Sequence, residues 1–265
     1  MLADWFKANK LTLNISKTKY MIFKDKSKTV NFASHNLIID NEVIERIGKN
    51  CPEESFKFVG INLDECLSWR HHVNHVINKI AGATYALSKL ENLLPNKIKL
   101  TIYNSLFKSH IEYGIVAWGN SADPGIKRIC SLQKRSVRYI SNARSKQHTS
   151  NLFAEHKILK FHDLVKHCEL SFMYKYVYST LPSSFNDMFI KLNSFDRSLS
   201  FQMEIVKKSF MKTLPTYTLP KNWNNLPLEL KRIKSLNVFK NSNKDKILSS
   251  YNFSCTANNC YSCQG

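Results

Sequence analysis

Residues 55–69, SFKFVGINLDECLSW, contain the point at which the chain changes its secondary structure. The first half alternates apolar with polar residues and then becomes apolar, which predicts a strand buried on at least one face over residues 55–63. Ser68 suits a helix N-cap, and the hydrophobic period after it is that of a helix continuing to about Glu91. A β-rich part of the chain therefore ends here and a helical part begins.

The part before this point predicts strands. Residues 18–23 (TKYMIF) are β-branched and aromatic, and residues 36–47 (NLIIDNEVIERI) predict a hairpin with its turn at Asp40-Asn41. Residues 2–8 predict the end of a short helix. Such a head, residues 1–66, is thin for an independent domain, so we expect it to have been part of something larger.

The part after this point predicts helices. Pro95 begins a second helix, and residues 126–141, 161–179 and about 235–250 predict three more, with a looser, proline-punctuated region from Leu181 onward. The fold class is thus α+β, a small antiparallel β-rich head followed by a mostly helical body. The expected core positions of the first two helices are Val73, Val76, Ile77, Ile80, Ala81, Thr84 and Leu87, and then Ile98, Ile102, Leu106 and Ile111.

The composition limits the classes of protein and of binding partner that the chain fits. Hydrophobic residues at 43% exclude a wholly disordered chain, and 39 Lys and Arg against 20 Asp and Glu give a net charge of +19. A charge of this size favours nucleic acid first and an anionic membrane second. We find no apolar stretch near the length of a membrane span and no signal peptide, so we expect no membrane partner and an intracellular location, nucleus or cytoplasm.

The positive charge is concentrated locally. Seven basic residues and no acidic one lie between Lys127 and Lys146. One interpretation is a solvated, soluble face; the other is a surface that follows a sugar-phosphate backbone, because cations at helical spacing suit that role. Under the second interpretation the phosphate-contacting candidates are Lys134, Arg135 and Arg138.

Four segments, in order, resemble segments of reverse transcriptases from jockey-type non-LTR retrotransposons. Residues 9–23 (NKLTLNISKTKYMIF) are similar to the segment after the catalytic turn of the palm, and residues 56–69 to the primer-grip motif. Residues 133–140 (QKRSVRYI) resemble the family's LQKRAIR.I segment. Residues 223–227 (WNNLP), with Phe239-Lys240, are similar to its WN.LP...FK ending.

The resemblance implies a palm remnant (1–66), thumb-like helices (67–118), a basic helical region (119–180) and a basic C-terminal tail (181–265). It places the catalytic aspartates before Met1, since the sequence contains no Asp-Asp pair. Nucleotidyl transfer needs carboxylates that hold two metal ions. We therefore expect a truncated RNA-directed DNA polymerase that binds RNA template and DNA primer and does not polymerise alone.

The resemblance also implies site residues. Lys17 matches a lysine that approaches the incoming nucleotide, although it also fits an ordinary basic loop residue. Phe58, Val59 and Gly60 match the turn that holds the primer end, and the alternative is a buried strand with a bulge. On the first thumb helix, the residues expected to follow the minor groove are Asn78, Lys79 and Lys89. No cofactor or small-molecule substrate is expected on this chain alone; Mg²⁺ is implied for the complete polymerase.

Other patterns carry weaker signals. His71 and His75 have the spacing of a two-histidine zinc site but no third ligand, so we assign no metal ligands. The C-x4-C-x2-C run of Cys255, Cys260 and Cys263 offers three thiolates where a structural zinc site takes four, and a frayed tail is the other interpretation. The aromatic run that suits either base stacking or core packing is Phe172, Tyr174, Tyr176 and Tyr178.

Two rival functions remain at this stage. The chain could be a repurposed basic helical module that binds RNA or DNA without any role in polymerisation. It could also be a remnant that does not fold stably, because its β-rich head would expose unpaired strand edges.

Overall fold

The computed structural model describes residues 2–25, 37–39, 41–192 and 199–252. The chain divides into two compact units, residues 1–75 and residues 76–265, each considered by itself below. Small two-stranded sheets lie near the N terminus and most of the remaining chain is helical, so the α+β class is confirmed. Within the described ranges, no helix has the length and apolar character needed to cross a membrane.

The N-terminal unit contains short elements. They are the helix Leu2–Ala8 (α1), the 3₁₀ turn Ile15–Lys17, and the strands Lys19–Met21 (β1), Ile38–Ile39 (β2), Glu42–Val43 (β3), Glu45–Ile47 (β4), Ser55–Phe58 (β5) and Ile61–Asp64 (β6). Ile38 pairs with Val43 in an antiparallel register, which confirms the predicted hairpin. Asp40, expected at its turn, lies outside the described residues.

The pairing of β1 with β4 corrects the sequence-based expectation. These strands run parallel, with Tyr20 opposite Arg46, so the head is not antiparallel throughout. The partners are far apart in sequence, and a local hydrophobic pattern carries no information on which strand a segment will pair with. Ion pairs support the arrangement: the Lys19 ammonium lies 3.3 Å from the Glu45 carboxylate and 2.6 Å from that of Glu53.

Helices make up most of the rest. They are Arg70–Lys89 (α2), Asn96–Ile102 (α3), Ser109–Glu112 (α4), Ile115–Trp118 (α5), Gly125–Ile140 (α6), Ser150–Glu155 (α7), Phe161–Val177 (α8), Pro215–Asn224 (α9), Leu228–Lys231 (α10) and Leu236–Ser249 (α11). The predicted stripe of α2 is buried except at Ala81, which is half-buried. Ala83, which was not predicted, is buried as well. The predicted helix near 235–250 is confirmed as α11.

A π-helical turn, Tyr103–Lys108, joins α3 to α4 and changes which residues face the core. The predicted stripe is wrong at Ile98 and Leu106, which are exposed, and right at Ile111, which is buried. The buried residues are Lys99, Tyr103, Phe107 and Ile111, spaced every fourth residue. In an α-helix each such step drifts about 40° around the axis. The wider π turn, in which the Ser109 N–H bonds the Asn104 carbonyl, offsets this drift and keeps the residues on one face.

The core of the C-terminal unit includes most of the aromatic run on α8. Tyr174 and Tyr176 are buried in a cluster with Trp223 and Phe239, which favours core packing over base stacking for these two tyrosines. The prediction of a loose region from Leu181 onward is wrong for α9 and α10, which are helices as the predicted α11 is. These helices pack against α8 because their apolar residues are hydrophobic enough to be buried despite the intervening prolines.

The WNNLP segment has a structural role in this core. The Trp223 indole N–H donates to the Leu199 carbonyl at 2.8 Å. The Asn224 side chain bonds Phe201 twice, accepting from its N–H at 2.9 Å and donating to its carbonyl at 2.8 Å. This segment therefore holds an irregular stretch of backbone, which explains the Trp-Asn pair in physical terms.

Lys99 is a fully buried cation with three hydrogen-bond acceptors. Its Nζ donates to the carbonyls of Glu91 at 2.7 Å and Tyr139 at 3.0 Å, and to the Asn142 side-chain oxygen at 2.6 Å. Tyr139 and Asn142 lie at the C-terminal end of α6, where the helix dipole favours a positive charge. Lys99 thus links α3 to the end of α6, and it is part of the fold and not of the basic surface.

Candidate nucleic-acid interface

The segment assigned to the primer grip is a hairpin with an exposed apolar tip. β5 and β6 pair antiparallel with Phe58 opposite Ile61, so Val59 and Gly60 alone form the turn. Their φ angles are +44° and +83°, as in a tight hairpin turn with both central residues in the left-handed region. Phe58 is 60% and Val59 70% exposed. The prediction of one continuous strand over 55–63 is wrong, and so is the alternative of a buried strand with a bulge.

The base of this hairpin is held by a carboxylate and an imidazole. Asp64 is buried and accepts hydrogen bonds from the N–H groups of Cys66 and Ser68, each at 3.1 Å, and from the Ser68 hydroxyl at 3.0 Å. The Asn62 N–H donates to Nδ1 of His72, 3.4 Å away. Burial, and secondarily the charge of His75, lowers the pKa of His72 to about 4, so its imidazole is a neutral acceptor near pH 7.

Lys17 is the last residue of the 3₁₀ turn that precedes β1, and it is exposed. The Asn14 side chain caps this turn by accepting from the Lys17 N–H at 3.2 Å. The Lys17 side chain thus extends from a short ordered turn that directly precedes β1. Its proposed approach to a nucleotide remains a prediction.

The outward face of α2 combines polar, aromatic and glycine residues. Tyr85 is 64% exposed, and Lys89 places its Nζ 5.3 Å from the centre of the Tyr85 ring. Asn78 and Lys79 are exposed one to two turns earlier. Gly82 lies between them, and a Cβ built there would meet no atom within 4 Å in the described part of the chain. The fold therefore gives no packing reason for a glycine inside this helix, where glycine costs about 1 kcal/mol relative to alanine.

The inward face of α6 fixes the orientation of the helix. Its buried residues are Ile126, Ile129, Leu132, Gln133, Ser136, Val137 and Ile140. Ser136 shares a 2.9 Å hydrogen bond with Thr84 of α2. The Gln133 amide donates to the Tyr103 hydroxyl and to the Leu159 carbonyl, both at 3.0 Å. Sequence reasoning missed the structural role of Gln133, because a glutamine beside Lys134 and Arg135 is read as part of a polar surface.

The outward face of α6 is cationic. Lys127, Arg128 and Arg135 are exposed, and Lys134 and Arg138 are half-buried. From Lys127 to Arg138 the face extends about 16 Å along the helix. Arg138 also has a structural contact, since its Nε donates to the Gln147 carbonyl at 2.9 Å and so holds the turn after α6. Burial lowers the pKa of this guanidinium, which stays charged at neutral pH.

The histidines at the start of α2 have separate surroundings. His71 faces Glu54, with 3.8 Å between Nε2 and the carboxylate, and His72 belongs to the hairpin base. Across the described ranges, no three or more His, Cys, Asp and Glu side chains are grouped as a metal site. Cys255, Cys260 and Cys263 lie outside the described residues.

Comparison with known proteins supports the resemblance seen in the motifs. Over 142 residues, 52% of its length, the chain is 26% identical to a probable RNA-directed DNA polymerase from transposon X-element of Drosophila melanogaster. Over 124 residues, 45% of its length, it is 25% identical to the RNA-directed DNA polymerase from mobile element jockey of the same species. The chain is thus distantly and partially similar to reverse transcriptases of non-LTR retrotransposons, over about half its length.

The similarity covers a small part of these relatives. It spans 14% of the X-element protein and 13% of the jockey protein. No protein-family model matches the chain, and no solved structure does.

Proposed function

We propose that this chain is a part of a non-LTR retrotransposon reverse transcriptase that binds template–primer and does not extend a primer by itself. The observation that carries the proposal is the division of α6 into a fully packed inward face and a cationic outward face, inside a chain similar to such polymerases. Phosphate contacts by Lys and Arg supply most of the affinity of such interfaces.

The proposal assigns a contact to each surface. The outward face of α6, with Lys134, Arg135 and Arg138, contacts phosphates. The exposed face of α2, with Lys79, lies along the minor groove, and the hairpin tip Phe58-Val59-Gly60 meets the primer end. Lys17 approaches the incoming nucleotide. Supporting features are the exposure of Lys17, Lys79 and Arg135 and of the hairpin tip, and the partial exposure of Lys134 and Arg138. For α2 and α6, the buried opposite faces hold these side chains in place.

Binding and catalysis are measured separately. Fluorescence anisotropy of a labelled RNA–DNA template–primer, over a range of salt, is expected to show affinity that falls steeply with salt. Primer extension with Mg²⁺ is expected to yield no product, because the sequence holds no adjacent pair of aspartates. Extension by the purified chain would contradict the second half of the proposal, and salt-independent or absent binding would contradict the first.

The substitution Gly82→Ala tests whether the exposed face of α2 contacts the nucleic acid. The fold should become more stable by about 0.5–1 kcal/mol, since alanine is the better helix former and its methyl group meets open space. Affinity for template–primer should fall about tenfold, because the methyl group would overpack a close approach of the nucleic acid. Thermal melting and anisotropy measure the two effects. If stability rises while affinity falls, misfolding is excluded as the cause of the weaker binding. Unchanged affinity would show that α2 is not part of the interface.

The substitution Val59→Asn separates a polymerase fragment from a general nucleic-acid-binding module. Asparagine tolerates a positive φ and Asn-Gly suits this turn, so the hairpin should be stabilised by about 1 kcal/mol. Loss of the apolar valine should weaken binding to a recessed primer end about tenfold, the effect of a buried side chain contributing about 1.5 kcal/mol. Binding to single-stranded RNA should not change. Equal affinity of wild type and variant for both ligands would favour the module.

A further inference from the structure

Two lysines of α11 lie beside the contact between this helix and α8. Asn243 makes that contact: it is buried, and its amide nitrogen lies 3.1 Å from Nδ1 of His167 on α8. Lys240 and Lys244 are four residues apart in α11, on the same side of the helix as Asn243. Both lysines are half-buried. Within the described ranges, neither of their ammonium groups forms an ion pair with a carboxylate.

A third lysine lies near the same histidine. Lys108 directly precedes α4, which packs against α8, and its ammonium group is 3.3 Å from the Glu112 carboxylate. Burial, and then the charges of Lys240, Lys244 and Lys108, lower the pKa of His167 to about 4. Lys108, Lys240 and Lys244, here called the lysine cluster, therefore surround His167 with positive charge.

The charges of the lysine cluster repel one another. Burial, and next the charge of Lys108, lowers the pKa of Lys244, and Lys157 lowers it further. The Asp245 and Glu112 carboxylates act in the opposite direction but do not reverse the decrease. Like charges at a half-buried place disfavour their own charged forms, and an anion bound among them would remove that repulsion. The cluster thus has the electrostatics of an anion site.

His167 adds a hydrogen-bond donor to this site. An amide nitrogen can only donate, so Nδ1 of His167 accepts from Asn243 and the proton of the neutral ring is on Nε2. In the part of the chain that the structure describes, this Nε2 has no hydrogen-bond partner. Three ammonium groups and one ring N–H offer donors only, which suits the oxygen atoms of a phosphate group.

The lysine cluster is separate from the outward face of α6. On α8, His162 marks the side that meets α6, since its Nε2 lies 3.9 Å from Sγ of Cys130. His167, which meets α11, follows five residues later, and five residues correspond to about 140° around an α-helix. The helices α6 and α11 therefore contact different sides of α8.

We propose that the lysine cluster and His167 bind a backbone phosphate of a nucleic-acid strand, at a second surface of the C-terminal unit. The choice of nucleic acid as the source of the phosphate rests on the proposed function, whereas the phosphate site follows from the side chains themselves. The second surface adds contacts to those of α6, and each contact with a phosphate increases the dependence of affinity on salt.

The first test follows the ring of His167 by NMR in the full chain with labelled histidine. A phosphate beside the imidazole favours its charged form, so saturating template–primer should raise the pKa of His167 by at least about one pH unit. Inorganic phosphate should move this pKa in the same direction and tests the site without nucleic acid. In the double variant Lys240→Gln with Lys244→Gln, the pKa should already be higher before any ligand is added, and neither ligand should raise it further.

The second test measures binding by the same double variant. Its affinity for template–primer should fall about tenfold near physiological salt, and the slope of log affinity against log salt should decrease by roughly 0.9 for each lost contact. Its thermal midpoint should stay the same or rise, because repulsion is relieved. Lys108 is left unchanged, since it also pairs with Glu112.

The matched control is Lys234→Gln with Lys246→Gln. These lysines are exposed just before α11 and on it, and their replacement removes the same charge. The control should keep most of the affinity and the salt slope of the wild type. Equal losses in the two double variants would overturn the proposal, because net charge alone would then explain the binding.

The remaining outcomes separate the site from its ligand. An unchanged pKa of His167 with both ligands would overturn the site. A rise with inorganic phosphate in a chain that binds no template–primer would contradict the proposed function and support the phosphate site. If the double variant lost binding to phosphatidylserine vesicles and kept its affinity for template–primer, the surface would belong to a membrane contact, and nucleic acid would be the wrong source.

Discussion

Replacing Lys99 with methionine is expected to lower the free energy of unfolding by about 3–5 kcal/mol. Methionine fits the length of the side chain but donates no hydrogen bond. Two backbone carbonyls and the Asn142 side-chain oxygen would then lose a charged donor in a buried site. The positive charge at the end of α6 would be lost as well. Urea unfolding followed by tryptophan fluorescence measures the change, and the thermal midpoint should fall by about 10 °C.

Lys97→Met is the matched control for this substitution. Lys97 lies on the same helix but is exposed, so its loss should change the stability by no more than about 0.5 kcal/mol. Equal unfolding curves for the two variants would show that the buried ammonium is not stabilising. A wild-type chain without a cooperative transition would instead support the rival view that the chain is an unstable remnant.

Removing three cations from α6 is expected to weaken template–primer binding about 100-fold near physiological salt. The variant carries Lys134→Gln, Arg135→Gln and Arg138→Gln, and each lost phosphate contact should reduce the slope of log affinity against log salt by roughly 0.9. Anisotropy titrations at several salt concentrations give both quantities. Arg138→Gln also removes the bond to Gln147, so its single variant should be melted first.

A control of equal net charge shows whether position matters. The residues replaced in the control are exposed on other elements: Lys97, Lys212 and Lys246. Their replacement by glutamine lowers the net charge by three, as in the α6 variant. If binding depended on total charge alone, the two triple variants would lose the same affinity, and α6 would not be the interface. We expect the control to keep most of its affinity and a steeper salt slope than the α6 variant.

Features encoded locally could be predicted from the sequence, and features set by distant contacts could not. The hairpin near Ile38 and Val43 and the helix beginning near Ser68 follow from short-range patterns. The parallel pairing of β1 with β4 depends on a partner that no local pattern identifies. The turn at Val59 was missed in the strand prediction because a β-branched residue is unfavourable at positive φ.

In the candidate site, too, the features encoded locally could be predicted and the features set by distant contacts could not. The exposed cations of α6 follow from charge and helical spacing, since the apolar residues leave only one face for them. The buried polar groups do not follow, because glutamine and lysine are read as surface residues. Gln133 and Lys99 are both in the core, and their partners are contributed by other helices and by the turns between helices. Only the assembled fold supplies those acceptors.

The π turn between α3 and α4 accommodates one residue more than an ordinary α-helix needs to keep the same face buried. Exchanging Leu106 for another side chain alters only a surface, since Leu106 faces outward. Loss of one exposed residue between Tyr103 and Phe107 would leave the buried positions four, three and four residues apart, a spacing that an α-helix places on one face. A gap of one residue in a related sequence at this place therefore signals an ordinary α-helix with the same buried stripe.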